Sequence, residues 1–144
     1  MKQLLTILLL IVTSSTAFAT PGVKRSAPVM PAMKRTITEA RDMKWVGGDE
    51  IVKIQFSSNN QYVTGFYNSD GKLLGLAKNI LSTELPSLLC KNLKEKYSQY
   101  WISGVLEYSG DEGTVYYTML ENADQKIVLQ SFGNKWSVVK KTDK

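Results

Sequence analysis

The apolar positions of this chain change period several times, and each change predicts an element. A near-continuous run, Leu4-Leu5-Thr6-Ile7-Leu8-Leu9-Leu10-Ile11-Val12, follows Lys2 and gives way to Ala17-Phe18-Ala19. The run is about nine residues, roughly half of the ~20 that span a bilayer as a helix. Small residues at alternate positions suit signal peptidase, so residues 1–19 read as a secretory signal peptide. Residues 20–34 hold Pro21, Pro28 and Pro31 and little periodic hydrophobicity, the pattern of a flexible leader. Met33, Ile37 and Ala40 then recur at i, i+4, i+7 and predict a short helix ending near Asp42.

From Glu50 onward the text changes. Residues 50–56, 61–67 and 72–80 are β-branched and aromatic runs separated by Ser57-Ser58-Asn59-Asn60 and Asn68-Ser69-Asp70-Gly71, which predicts an antiparallel meander. Asp70-Gly71 marks a hairpin, because the turn needs positive φ and glycine adopts it without steric cost. Pro86 suits a first helical turn, and Leu85, Leu88, Leu89, Leu93 and Tyr97 follow at helical spacing, predicting a helix over 86–97. Strands resume over 101–108, 114–121, 126–132 and 135–140, with the last turn at Gly133-Asn134.

A shift of 54 lays the second half on the first. Tyr62 falls on Tyr116, Thr64 on Thr118, Phe66 on Leu120, Asn68 on Asn122, Asp70 on Asp124 and Lys72 on Lys126. The expected fold is therefore α+β: tandem helix-plus-antiparallel-meander repeats forming one sheet of about seven strands with helices on one face. Repeat one takes about residues 35–80 and repeat two about residues 82–144.

Composition narrows the chemistry. The chain has 144 residues, no histidine and one cysteine. Histidine-dependent hydrolases, the HExxH metalloproteases and His-ligated metals are thereby excluded. The lone Cys90 excludes an internal disulfide and reads as a semi-buried thiol at the margin of the second helix, the alternative being oxidative pairing with another chain. Gly47-Gly48-Asp49-Glu50 spells the start of a diguanylate cyclase signature but simply introduces a strand. Gly110-Asp111-Glu112-Gly113 reads as a hairpin loop. Asn68-Ser69-Asp70-Gly71 lacks the glutamate an EF-hand needs at position 12, where Asn79 stands. No cofactor or metal is called for.

The formal charge of +5 falls to +4, 17 basic against 13 acidic residues, once Lys2 leaves with the signal. Basic residues are scattered from Lys24 to Lys144, as on a solvated surface rather than on the stripe a nucleic acid requires. No nucleic-acid partner is expected.

Aromatic residues are the remaining signal. Tyr62, Phe66, Tyr67, Trp101, Tyr108, Tyr116, Tyr117 and Trp136 all fall on expected strands. Side chains alternate faces, so Tyr116 and Tyr117 cannot share one core, nor can Phe66 and Tyr67. Rings on a helix-free face suit protein binding, and Tyr67, Trp101, Tyr117 and Trp136 are the candidate contact residues.

The Tyr-Val-Thr-Gly-Phe-Tyr-Asn-Ser-Asp-Gly-Lys-Leu-Leu hairpin at residues 62–74, Leu85-Pro86 before the second helix and Glu121-Asn122-Ala123-Asp124 near the end resemble the PepSY-like, β-lactamase-inhibitor-like family of small exported bacterial proteins. The resemblance covers about residues 35–140. It implies helices packed on one face of an antiparallel sheet, a periplasmic or secreted location, and a binding module of unassigned target; the chain is expected to be a monomer whose protein partner is unidentified, an envelope enzyme being one candidate. No inhibitory loop matches residue by residue, so no site residue is carried over. The competing functions are a small periplasmic enzyme using Asp111 and Glu112 with a tyrosine, and a structural envelope protein.

Overall fold

Alternating apolar and polar residues become strand after strand. A computed structural model describes residues 41–46, 51–58 and 60–144. The expected signal peptide, leader and first helix fall outside the described residues, apart from Arg41 and Asp42. The strands are β1 (Arg41–Val46), β2 (Ile51–Ser58), β3 (Gln61–Asn68), β4 (Leu73–Asn79), β5 (Trp101–Gly110), β6 (Gly113–Glu121), β7 (Gln125–Phe132) and β8 (Lys135–Asp143). They form one 8-stranded antiparallel sheet whose spatial order is the sequence order. Between β4 and β5 lie a 3-10 helix, Ser82–Glu84, and the helix α1, Ser87–Lys96.

Two expectations are corrected. Arg41 and Asp42 open β1 and pair with β2, in the register Lys44↔Gln55 and Trp45↔Ile54, so no helix ends at Asp42. The α+β scheme of two helix-plus-meander repeats also fails. Among the described residues there is one α-helix, and β4 pairs directly with β5 through Ala77↔Tyr108, joining the halves into one unbroken antiparallel meander of eight strands.

The registers show what the shift of 54 had matched. Ser57↔Tyr62, Lys53↔Phe66 and Ala77↔Tyr108 lie on one face, whereas Val105↔Thr118 and Leu120↔Ile127 lie on the other. Tyr62, Thr64 and Phe66 therefore point opposite to Tyr116, Thr118 and Leu120, because side chains alternate with period two. What does recur is a turn. Asn68 Oδ1 accepts from Asp70 N at 3.1 Å and Lys72 N at 2.8 Å, and Asn122 Oδ1 accepts from Asp124 N at 3.0 Å and Gln125 N at 2.8 Å. Both are Asx turns closing hairpins, a local solution that two sites reach independently.

The other turns follow from sequence. Gly71 adopts φ 80° where the β3–β4 hairpin reverses, and Gly133, at φ 57°, forms with Asn134 the two-residue turn between β7 and β8. Pro86 caps α1, and Tyr97 N closes it by donating to Leu93 O at 2.9 Å. Glu84 braces the preceding turn by accepting from Leu81 N at 2.6 Å.

Leu89 and Leu93 of the α1 stripe are buried, as is Leu85 just before the helix. Leu85 and Leu93 pack with Val105, Leu120, Ile127 and Leu129, which defines the helix face over β5–β8. Leu88 leaves the stripe and is exposed. Farther along the same face, Val52, Ile54, Phe56 and Tyr67 form a second cluster. The opposite face carries the third: Ile51, Phe66, Ala77, Tyr108, Tyr117 and Val128.

Candidate protein-contact face

Register and burial together sort the four candidate contact residues. Tyr67 pairs with Val52 on the helix face and is 0% exposed. Its ring lies across Gly65, where a Cβ would stand 2.8 Å from Tyr67 Cε2. Trp136 pairs with Ser131 on the same face, half-buried, and its Nε1 donates to Leu89 O at 2.9 Å, tying β8 to α1. Tyr117 pairs with Leu106 and Gln130 on the face opposite α1, helix-free among the described residues, but is 3% exposed. Trp101 pairs with Glu121 on the helix-free face and is 54% exposed. Only Trp101 combines that face with exposure. The sequence shows which residues alternate, but not which face a helix will cover.

Residues that the aromatic pattern alone did not single out complete the surface. Tyr62, Met119 and Phe132 stand on the helix-free face by the same alternation, at 64%, 39% and 78% exposure. Tyr62 and Trp101 lie toward the end of the sheet where β3 and β5 begin and Phe132 toward the end where β7 finishes, on the same face as the buried strip of Phe66, Tyr108 and Tyr117. The signal for Phe132 was its place immediately before the Gly133-Asn134 turn, where a strand tip stands clear of the sheet.

The strip is closely packed. Phe66 meets Tyr108 edge to face at 5.9 Å. Tyr108 lies over Gly75, where a Cβ would overlap its ring, and its hydroxyl donates to Leu74 O at 2.9 Å. Burial raises the phenol pKa of Tyr108, with Asp111 and Glu112 adding to the push. Burial, helped by Tyr108, takes Tyr117 up to about 12, and its hydroxyl has no hydrogen-bond partner among the described residues. Lys53 is buried beside Phe66, and desolvation lowers its pKa.

At the Trp101 end, Lys144 Nζ stands 5.0 Å from the indole centroid, 3.1 Å from Glu121 Oε2 and 2.8 Å from Asn122 O. The hydrogen bond that Lys144 donates to Glu121 is the leading cause of a lowered Glu121 pKa, with Ser103 and Lys126 contributing in the same direction. At the Phe132 end, Lys72 bridges to Asp111 at 3.2 Å, linking the β3–β4 and β5–β6 turns.

The alternative acid pair is placed just as clearly. Asp111 and Glu112 occupy the exposed turn between Gly110 and Gly113, with Asp111 bound to Lys72, while the neighbouring Tyr108 hydroxyl is committed to a backbone carbonyl. Cys90 is half-buried at the margin of the α1 cluster. Among the described residues no group of three or more His, Cys, Asp or Glu could hold a metal ion, and no helix is long and apolar enough to cross a membrane.

No protein-family model matches this chain, and no curated protein matches it. Solved structures do. A DUF2874 family protein from Bacteroides uniformis superposes with a TM-score of 0.71 at 13% identity, over 81% of this chain and 88% of its own. A BLIP-like protein from Bacteroides fragilis does so with a TM-score of 0.66 at 14% identity, over 88% and 89%. A Bacteroides eggerthii protein assigned provisionally to the periplasm reaches 0.71 at 14% identity, over 85% and 89%. The chain thus shares its fold with BLIP-like and DUF2874 proteins. That supports the β-lactamase-inhibitor side of the resemblance at the level of fold; the PepSY side has no counterpart among these structures.

Proposed function

We propose that this chain is an exported, non-enzymatic protein-binding module, inhibitor-like in its mode of action, that engages its target through the helix-free sheet face and the adjoining hairpin loops. The observation that carries this reading is the segregation of exposed rings. Tyr62, Trp101 and Phe132, with Met119, all stand on the face without α1. Aromatic and methionine side chains are enriched where proteins meet, since they bury much area at modest entropic cost. Export rests on the amino-terminal apolar run and its small-residue end, and agrees with the provisional periplasmic assignment of one structural neighbour. The non-catalytic part rests on the missing histidine and on the commitment of Asp111 and Tyr108 to other partners.

Site-specific photo-crosslinking tests the proposal. The chain, with its first 19 residues, is produced in its native host with a photoreactive phenylalanine at Tyr62, at Phe132, or at Lys94 on the exposed side of α1. The expected outcome is one shared protein adduct from the first two positions and not from the third, lost on Trp101→Ala. Adducts only from the helix position, or none from the sheet face, would overturn it.

A further inference from the structure

The lysines that look scattered in the sequence are sorted by the fold. Residues 41–124 hold eight Lys or Arg against eleven Asp or Glu, whereas residues 125–144 hold five lysines against the single Asp143. That last segment is the β7–β8 hairpin, and β8 is a terminal strand of the sheet, hydrogen-bonded on one side to β7. Lys72, Lys78, Lys91, Lys126 and Lys144 have carboxylate partners. Lys94 and Lys96 on α1 and Lys135, Lys140 and Lys141 on the hairpin make no ion pair among the described residues and are exposed, and only the last three lie along a sheet edge.

The backbone of β8 offers a matching feature. The two-residue turn makes Phe132↔Lys135 the closing pair, and Ser137 then bonds inward to Gln130. By that alternation Trp136 and Val138 turn their amides away from β7. Val138 is 56% exposed on this nine-residue strand. The register skips Val139, a bulge that interrupts the edge between Val138 and Lys140; beyond it Lys140 opposes Val128 and Lys141 opposes Ile127, so the two ammonium groups stand on opposite faces of the same edge. Lysines also guard sheet edges against stray pairing. A guarded edge needs neither an exposed valine beside its outward amides nor cations on both faces without carboxylates to balance them.

We infer that the edge of β8 left unpaired among the described residues is a docking site for an acidic, extended segment of another protein, which adds to the sheet as a further strand. Main-chain hydrogen bonds to the edge supply the pairing, and carboxylates opposite Lys140 and Lys141 supply the selection. The site is an edge, not the helix-free face, and stands or falls separately from the function proposed above.

The test uses the chain from Thr20 to Lys144 and a fluorescein-labelled octapeptide of repeating Glu-Glu-Val-Val, which sets carboxylates on both faces of an added strand, followed by fluorescence anisotropy. The acidic peptide should bind. A copy with lysine for glutamate should bind at least about tenfold more weakly, as should Lys140→Glu/Lys141→Glu with the acidic peptide. Val138→Pro, which removes an outward donor that an edge strand can spare, should lose binding with its circular dichroism unchanged. If that variant does not fold, an octapeptide N-methylated along one edge makes the same test on the wild-type chain, and it should bind at least about tenfold more weakly. Trp101→Ala and Tyr62→Ala should leave peptide binding untouched. No binding, equal binding by the N-methylated peptide, or displacement of the peptide by duplex DNA, by anionic vesicles or by self-association of the chain in sedimentation would each overturn the inference.

Discussion

Tyr108 and Tyr117 show how single side chains set the character of the helix-free face. The Tyr108 ring needs the bare backbone of Gly75 beneath it. Gly75→Ala should therefore cost about 1–3 kcal/mol by forcing the ring off its rotamer and away from Leu74 O, read as a lower urea midpoint. Tyr117 brings a hydroxyl into the strip without a described partner, so Tyr117→Phe should be neutral or stabilising at pH 7. Its phenol ionises near 10 when unfolded and about 12 when folded. Below pH 10 both states keep the proton and its contribution is fully present. Between pH 10 and 12 only the unfolded state gives the proton up, so stability falls as pH rises, by about 2 kcal/mol from this residue. Urea midpoints across that range should decline less steeply for Tyr117→Phe than for the wild type.

At the scale of elements, the informative contact is between α1 and β8. Trp136 was legible as a strand aromatic and Leu89 as a helix-stripe residue, but their hydrogen bond spans 47 positions and no local pattern encodes it. Asn92 adds a second tie, its Nδ2 donating to Asn134 O at 2.6 Å. Trp136→Phe should keep most of the packing and lose the donor, costing about 1 kcal/mol. Trp101→Phe, on the exposed side of the other face, should leave the midpoint unchanged. Guanidinium titrations of both variants measure the difference.

For the whole molecule, the pairing of β4 with β5 decides how the chain unfolds. Two repeats with their own helices could melt separately, but one meander whose middle strands share a ladder should melt together. Far-UV circular dichroism and tryptophan fluorescence should trace superimposable curves in denaturant. Two resolved transitions would mean that the β4–β5 seam is weaker than its ladder implies.

The elements themselves were written in the sequence. Seven of the eight strands, α1 with its buried Leu89 and Leu93 and with Leu85 just before it, and the hairpins at Gly71 and Gly133 follow from hydrophobic period and turn chemistry, which act over a few residues. β1 was missed because Met33, Ile37 and Ala40 suggested a helix running to Asp42, while the reason for a strand at Arg41 lies in β2, its pairing partner. The apparent repeat arose because the Asx turns at Asn68 and Asn122 are local and strong, whereas the face on which each flanking residue stands is set by register across strands. The same holds for function. Alternation placed one ring of each adjacent pair on either face, but only the packing of α1 showed that Tyr67 and Trp136 belong to its side, that Tyr117 is sealed, and that Trp101, Tyr62 and Phe132 remain in water. Burial and charge clustering are sums over residues distant in sequence, and three-dimensional contact alone performs that sum.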